Sequence, residues 1–181
     1  MAVEKVGLKP VPPEDARFLS VLIRAYLMEA APGAQLDPVH VVDRIWSEKG
    51  RYGLWITHGV KRVGFALVRD TLTGKRELSE FAILGAYRRR HIGRQAVHML
   101  VNDLPGSWYL GVSLASRAAQ DFWPSVLADC PNIRNLRRGS PQNHHQTQTL
   151  HFDIDEETGH DSGIGHPDQG RTGDDRGAVE A

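Results

Sequence analysis

Apolar residues recur along most of the chain at the spacings of helices and strands. Between residues 14 and 30 they lie three or four positions apart, which is typical of a helix with one buried face. Pro12-Pro13 followed by two acids favours a helix start there, and Ala31-Pro32-Gly33 favours its end. The same spacing predicts a second, shorter helix over residues 38–48.

The rest of the pattern predicts strands in a meander, then alternating helices and strands. Apolar runs bounded by turn residues predict strands at 6–11, 52–57, 61–69, 77–84, 108–114 and 147–154, and helical spacing predicts helices at 92–104 and 117–127. A meander followed by β-α-β units gives a mixed α/β sheet with helices on both faces.

Length and composition favour one domain. A chain of 181 residues, 40% of them hydrophobic, can bury one proper core, and a second domain would be cramped. From Asp155 onward the sequence is rich in Gly and Asp and has no aromatic residue. Such a segment buries too little apolar surface to offset its ordering entropy. We therefore expect a domain over residues 3–154 and a disordered tail over 155–181.

Charge and cysteine content narrow the possible partners. The 22 basic and 22 acidic residues balance, so nothing attracts nucleic acid or an anionic membrane globally, and neither is expected as a partner. Residues 1–13 lack the apolar core of a signal peptide, and no run of about 20 apolar residues follows. Cys130 is the only cysteine, so an internal disulfide is impossible. These features together predict a cytoplasmic protein.

A basic loop, residues 88–94 (Arg-Arg-Arg-His-Ile-Gly-Arg), lies between a predicted strand and a predicted helix. The first amides of a helix have no intrahelical partner and attract anions, and arginine side chains add donors suited to phosphate. Gly93 lets a ligand approach the backbone closely. Taken alone, the loop is as consistent with a solvated charged surface as with a phosphate site.

The sequence around this loop resembles the acetyl-CoA-binding motif of the GNAT superfamily of N-acetyltransferases. That motif is an apolar strand, a linker and (Gln/Arg)-x-x-Gly-x-(Gly/Ala) at a helix start. Arg88 matches its first position and Gly93 its last, whereas His91 replaces the first glycine. The larger side chain of His91 is expected to narrow the space for the pyrophosphate. Residues 63–68 resemble the third strand of the superfamily, and residues 116–123 resemble its Asn-x-x-Ala-x-x-(Leu/Phe)-Tyr stretch. Residues 80–81, 87–89, 105–108 and 119–123 together resemble a bacterial subgroup of predicted acetyltransferases.

The resemblance implies a fold, a co-substrate and a reaction. The fold is a mixed, mostly antiparallel sheet of about six to seven strands. The strand before the loop splays from its neighbour, so that backbone groups of Phe81, Ala82 and Ile83 bind the pantetheine arm of acetyl-CoA. The residues that would hold the pyrophosphate are Arg88, Arg89, Arg90, His91, Ile92, Gly93 and Arg94. An amine then attacks the thioester directly. Members of this superfamily are often dimers, which makes a homodimer possible.

The resemblance also suggests catalytic groups, each with a simpler alternative. Glu80 is the candidate general base, although strand glutamates often just face solvent or an ion-pair partner. Trp123 stands where the family has a tyrosine acid, and its indole N–H is not acidic enough to replace it. We interpret Trp123 as core beside the CoA channel. Ser116 either contacts CoA or, more simply, caps the following helix.

Other polar residues give weaker signals. Tyr26, Glu29, Asp37 and Trp46 fall in the two-helix region that usually forms the substrate wall, where Glu29 and Asp37 are equally well explained as surface residues. The histidines at 144, 145 and 151 lack the spacing of metal ligands, so no metal is expected. Cys130 lies between Asp129 and Pro131, a poor setting for a nucleophile.

Three functions remain open from the sequence. The leading hypothesis is an enzyme that transfers an acetyl group from acetyl-CoA to a primary amine of a small molecule or peptide. The second is a CoA-binding regulatory or interaction module with little or no catalysis, favoured by Trp123 and His91. The third, a nucleotide or phosphopeptide binder, fits poorly because dinucleotide folds place their glycine loop after the first strand.

Overall fold

The computed structural model describes residues 4–155 as one sheet with helices on both faces. The strands are β1 (Val6–Pro10), β2 (Arg51–His58), β3 (Lys61–Asp70), β4 (Arg76–Ile83), β5 (Gly106–Ser113), β6 (Ile133–Gly139) and β7 (Gln146–Ile154). The helices are α1 (Ala16–Ala30), α2 (Pro38–Ser47), α3 (Ile92–Asp103) and α4 (Arg117–Ala128), with short 3-10 turns at Pro13–Asp15 and Gly85–Tyr87. Residues 156–181, most of the expected disordered tail, lie outside the described residues.

The seven strands follow the order β1-β2-β3-β4-β5-β7-β6. Every neighbouring pair is antiparallel except β4 and β5, which are parallel. The parallel pair follows from the connection, because a crossover through α3 brings the chain back in the same direction. The predicted mixed, mostly antiparallel sheet with helices on both faces is confirmed.

The two faces of the sheet carry separate cores. Helices α1 and α2 cover one face with Leu19, Ile23, Val42 and Ile45, which pack against Trp55, Phe65 and Leu67 of β2 and β3. Helices α3 and α4 cover the other face, where Leu100, Val126 and Leu127 meet Trp108, Leu110 and Phe152. The longest helix, α1, has 15 residues, and none in the described chain is long and apolar enough to cross a membrane.

Strand β6 is the one strand that the hydrophobic pattern does not reveal. Within residues 4–155 it forms an edge of the sheet and pairs only with β7. Its sequence, Ile-Arg-Asn-Leu-Arg-Arg-Gly, is largely exposed, and Asn135 has a positive φ of 54° where the register shifts. Charged, irregular strands are typical sheet edges because they resist pairing with other chains. The same features remove the alternation of apolar and polar residues by which a strand is recognised in a sequence.

Gly64 gives a stability prediction for the centre of the sheet. A Cβ there would lie 2.2 Å from the Ala82 carbonyl oxygen on β4, and backbone cannot move aside cheaply. We expect Gly64→Ala to lower the free energy of unfolding by about 2 kcal/mol, the usual range for overpacking. A chain of this size should then melt roughly 4–8 °C lower.

The matched control for this change is Gly85→Ala. A Cβ at Gly85 meets nothing within 4 Å, so its melting temperature should stay close to that of the original chain. Equal melting temperatures for the two variants in calorimetry would contradict the close approach of β3 and β4 at Gly64.

Candidate functional site

Strands β4 and β5 separate part-way along their length. Their parallel pairing joins Arg76 to Trp108, Glu77 to Tyr109 and Leu78 to Leu110, and no later pair follows in the described chain. On the other side of β4 the register with β3 shifts, since Leu67 pairs with Glu80 while Val68 pairs with Leu78. Ser79 is therefore the extra residue of a β-bulge, which bends a strand.

The split between β4 and β5 contains a cleft of about 710 Å³. Side chains reach it from both faces of the sheet: Tyr26, Glu29 and Ala30 from α1, and Ala119, Phe122 and Trp123 from α4. The edge of β4 that faces this cleft, from Ser79 to Ile83, is free of strand pairing. Such an edge can hydrogen-bond an extended ligand as though the ligand were another strand.

The basic loop leads from the end of β4 to the start of α3. The first hydrogen bond of α3 runs from the Gln95 amide to the His91 carbonyl, so the amides of Ile92, Gly93 and Arg94 precede the intrahelical bonds. Arg89 and His91 both have positive φ angles, 60° and 59°. A left-handed backbone at a residue with a Cβ costs about 1–2 kcal/mol, and functional loops often carry this strain.

The four arginines of the loop differ in what their side chains contact. Arg88 forms a two-pronged ion pair with Glu29, at 2.7 and 2.8 Å, and Arg94 pairs with Asp129 near the end of α4. The Arg90 guanidinium lies 5.9 Å from the centre of the Tyr87 ring. Arg89 is exposed and lines the cleft without an ion pair in the described chain. Ion pairs of Arg88 and Arg94 thus join the loop to α1 and to the end of α4, whereas Arg89 remains available to bind an anion.

An aromatic cluster forms one wall of the cleft. The Phe81 ring lies 6.2 Å from Phe122 and 5.3 Å from Trp123, measured between ring centres. Trp123 is 7% exposed, so it packs in the core while still touching the cleft. The Ser116 hydroxyl accepts a hydrogen bond from the Ala119 amide at 3.2 Å, which makes it the N-cap of α4 at the cleft edge.

Glu80 points toward α1, where it meets Tyr26. The pKa of Glu80 is raised to about 7, mainly by burial; a hydrogen bond from the Tyr26 hydroxyl opposes this rise, and the charge of Glu77 adds to it. Burial, together with the Glu80 charge, raises the pKa of Tyr26 well above its ordinary value. Tyr26 lines the cleft directly. The pair therefore presents a carboxyl group that can take up or release a proton near neutral pH.

Most of the predicted site residues converge on this cleft. Its lining includes Phe81, Ala82, Ile83, Arg88, Arg89, His91, Gly93, Arg94 and Ser116. The side chains of Arg90 and Ile92 do not line it, and Ile92 is buried in the core. Glu80 does not line the cleft itself, but its carboxyl group interacts with Tyr26, which does.

Other residues weighed from the sequence have separate places in the structure. Asp37 caps α2 and Trp46 lies on that helix, and neither lines the cleft. Cys130 is buried in the core. Within residues 4–155, no three His, Cys, Asp or Glu side chains are grouped as metal ligands.

The arrangement of these elements matches solved structures of acetyltransferases. No protein-family model matches the sequence, and no curated protein matches it. An acetyltransferase from Thermus thermophilus is similar in structure, with a TM-score of 0.63 and 20% identity over 85% of this chain and 99% of that one. A putative GNAT-family acetyltransferase from Desulfovibrio desulfuricans gives 0.61 and 14%, over 84% and 99%. This chain has the GNAT fold.

One further protein with the GNAT fold is similar in structure and was solved with its ligands. It is the diaminobutyrate acetyltransferase EctA from Paenibacillus lautus, in complex with L-2,4-diaminobutyric acid and coenzyme A. Its TM-score is 0.59 at 14% identity, over 83% of this chain and 95% of that one. At such identities the likeness establishes the fold, and the chemistry has to be argued from the residues of this chain.

Two features of the GNAT-fold cleft are not predicted by the sequence. The first is the bulge at Ser79, since nothing in Leu-Ser-Glu-Phe distinguishes a bulged strand from a regular one. The second is the pairing of Arg88 with Glu29, two residues 59 positions apart in the chain. Both depend on tertiary packing, which local sequence does not encode.

His91 gives a prediction that tests the strained backbone of the basic loop. We expect His91→Gly to raise the free energy of unfolding by about 1 kcal/mol, because glycine adopts positive φ without a Cβ clash. His98→Gly, within α3, is the control and should lower it by at least about 1 kcal/mol, the helix cost of glycine, because glycine also loses the contact of the His98 ring with the Val126 carbonyl. Urea denaturation measures both, and a destabilised His91→Gly variant would contradict the left-handed conformation.

Proposed function

We propose that the chain is an N-acetyltransferase that moves an acetyl group from acetyl-CoA to a primary amine of a small molecule or peptide. The split between β4 and β5 carries the proposal. An unpaired strand edge and a helix N-terminus lie beside this one cleft, and the Glu80 carboxyl group, which we propose as the proton acceptor, lies behind Tyr26 on its α1 side.

The donor is expected to bind along β4 and the basic loop. The pantetheine arm carries amide groups that can pair with backbone groups of β4 between Ser79 and Ile83, which are not paired with β5, although Arg88 already donates to the Ile83 carbonyl. The pyrophosphate is suited to the amides at the start of α3 and to Arg89. This would place the thioester near the bulge, where a β4 amide can stabilise the oxyanion. The residues proposed to hold acetyl-CoA are Phe81, Ala82, Ile83, Arg88, Arg89, Arg90, His91, Ile92, Gly93, Arg94 and Ser116.

The acceptor is expected to enter from the α1 face and lose its proton to Glu80. The amine nitrogen attacks the thioester carbonyl carbon, and the C–S bond breaks as the amide bond forms. Glu80 receives the amine proton, directly or through water, and its pKa of about 7 suits it to this at neutral pH. The products are the acetylated amine and CoA, and no acyl-enzyme is needed.

The acceptor class is supported by charge and by the structural neighbours. Glu80 beside Tyr26 makes the α1 side of the cleft suitable for a cationic amine. A spermidine N-acetyltransferase chimera and the diaminobutyrate acetyltransferase, both with the GNAT fold, are named for amine substrates. The proposal therefore favours primary amines over hydroxyl acceptors.

A CoA-binding module without catalysis is the second candidate, and one observation favours it. By the resemblance of this segment to the GNAT superfamily, Trp123 stands where that superfamily has a tyrosine acid, and an indole cannot protonate the departing thiolate. Transfer through this cleft would therefore take that proton from water or from another residue. Release of free thiol from acetyl-CoA across a panel of amines separates an enzyme from a module that only binds.

Binding of the donor can be tested without knowing the acceptor. At one hundred times its dissociation constant, CoA or acetyl-CoA should stabilise the fold by about 2.7 kcal/mol. This corresponds to a rise of roughly 5–10 °C in melting temperature for a chain of this size. ATP, which has phosphates but no pantetheine arm, should give a much smaller shift. A chain that melts unchanged with either CoA species would refute both candidate functions.

Glu80→Gln tests the general base. With a saturating amine, kcat of the original chain should rise with pH up to about 7 and then level off, because the base acts only when deprotonated. The variant should lose about 100-fold or more in kcat and should lack this rise. Full turnover at every pH would rule out Glu80 as the base.

Glu77→Gln is the matched control for Glu80. Glu77 lies on the same strand and pairs with Arg69, away from the cleft. Its charge raises the pKa of Glu80, so removing it should move the rise in kcat to lower pH without abolishing turnover. An unshifted profile would mean that another group controls the pH dependence.

A further inference from the structure

The last turn of α1 touches both sides of the split between β4 and β5. On the β4 side, the Glu29 carboxylate binds the Arg88 guanidinium, and Arg88 Nε donates to the carbonyl of Ile83, the last residue of β4, at 2.8 Å. On the β5 side, the Ser113 hydroxyl donates to the Ala30 carbonyl. One helical turn thus bridges two strands that no longer pair with each other.

This bridge matters because strand pairing does not fix the distance between β4 and β5 at this point. Beyond Leu78 and Leu110 no ladder hydrogen bonds hold β4 and β5 at a fixed distance. The contacts of α1 replace them. Glu29 accepts two hydrogen bonds from Arg88, which in turn donates one to Ile83 at the end of β4, and Ala30 accepts one from Ser113 on β5. The width of the cleft then depends on α1 as well as on the sheet.

Arg88 is also the first residue of a loop that needs external support. Arg89 and His91 hold strained left-handed conformations, so the loop geometry has to be imposed by its contacts. The bidentate pair with Glu29 is a contact of high geometric specificity. The hydrogen bonds from Arg88 hold the pKa of Glu29 below its ordinary value, so the carboxylate stays charged at neutral pH.

We propose that Glu29 is a positioning residue of the donor site: through Arg88 it holds the end of β4 and the basic loop in the geometry that binds CoA. This inference rests on the proposed function. The inference assigns Glu29 to the donor site, although Glu29 lies on α1, the helix proposed to form the acceptor side of the cleft. Both carboxylate oxygens of Glu29 are already engaged by Arg88, which leaves Glu80 with Tyr26 as the acidic group for an amine on the α1 side of the cleft.

The test measures CoA affinity by calorimetry on the full chain and on Glu29→Gln, which removes the charge but keeps the size. We expect the dissociation constant for CoA to rise about fivefold or more, within the usual range for coupling between residues and a site. The melting temperature without ligand should change little, because exposed ion pairs contribute little to stability. Glu29→Asp, which keeps the charge, should recover part of the affinity.

Glu48→Gln is the matched control. Glu48 pairs with Arg44 and Arg51 in a partly exposed cluster outside the cleft, so the same substitution there should leave CoA affinity unchanged. Arg88→Lys keeps the positive charge but loses the fork geometry, and it should weaken CoA binding at least as much as Glu29→Gln, because Arg88 is itself proposed to hold acetyl-CoA. The double variant should then bind CoA no more weakly than Arg88→Lys alone, because Glu29 acts through Arg88.

The possible outcomes separate this inference from the proposed function. If the original chain does not bind CoA, the proposed function and the inference both fail. If it binds CoA and Glu29→Gln binds equally well or more tightly, the inference alone is wrong. If Glu29→Gln raises the KM for an amine that the original chain acetylates and leaves the KM for acetyl-CoA unchanged, Glu29 belongs to the acceptor site and the inference is also wrong.

Discussion

The candidate site depends on a strand edge that is left unpaired in the middle of a sheet. Backbone N–H and C=O groups away from water need hydrogen-bond partners, so a gap inside a sheet is stable only if water or a ligand can reach it. The bulge at Ser79 opens this gap by bending β4 away from β5 after Leu78. The cleft and its two-sided lining follow from that one irregularity.

The elements around the gap keep it from closing. Phe81, Phe122 and Trp123 fill the α4 side with rigid rings, which resist collapse better than flexible side chains. On the opposite face the last turn of α1 contacts both strands through Arg88 and Ser113. The sheet supplies the unpaired edge, and the helices determine the shape of the space beside it.

Much of the fold can be predicted from the sequence, because helical and strand periodicities are local signals. Strand β4, the basic loop and the start of α3 are recognisable in the sequence for the same reason. The parts that cannot be predicted depend on distant packing or on a weak pattern. Strand β6 carries too many charges to alternate, the bulge at Ser79 has no local signature, and Glu29 finds Arg88 only after folding. The sequence predicts that the arginines of the loop suit phosphate, but it does not reveal that Arg88 and Arg94 also pair with carboxylates.

The cleft is lined by α1 from one face of the sheet and by α4 from the other, which has a consequence for the order of events. Two ligands that approach from opposite faces do not compete for one entrance. A second substrate can bind while the first is still in place, and neither product has to leave before the other reactant arrives. An enzyme with this geometry would follow sequential, ternary-complex kinetics, with intersecting double-reciprocal plots in place of the parallel lines of a ping-pong mechanism.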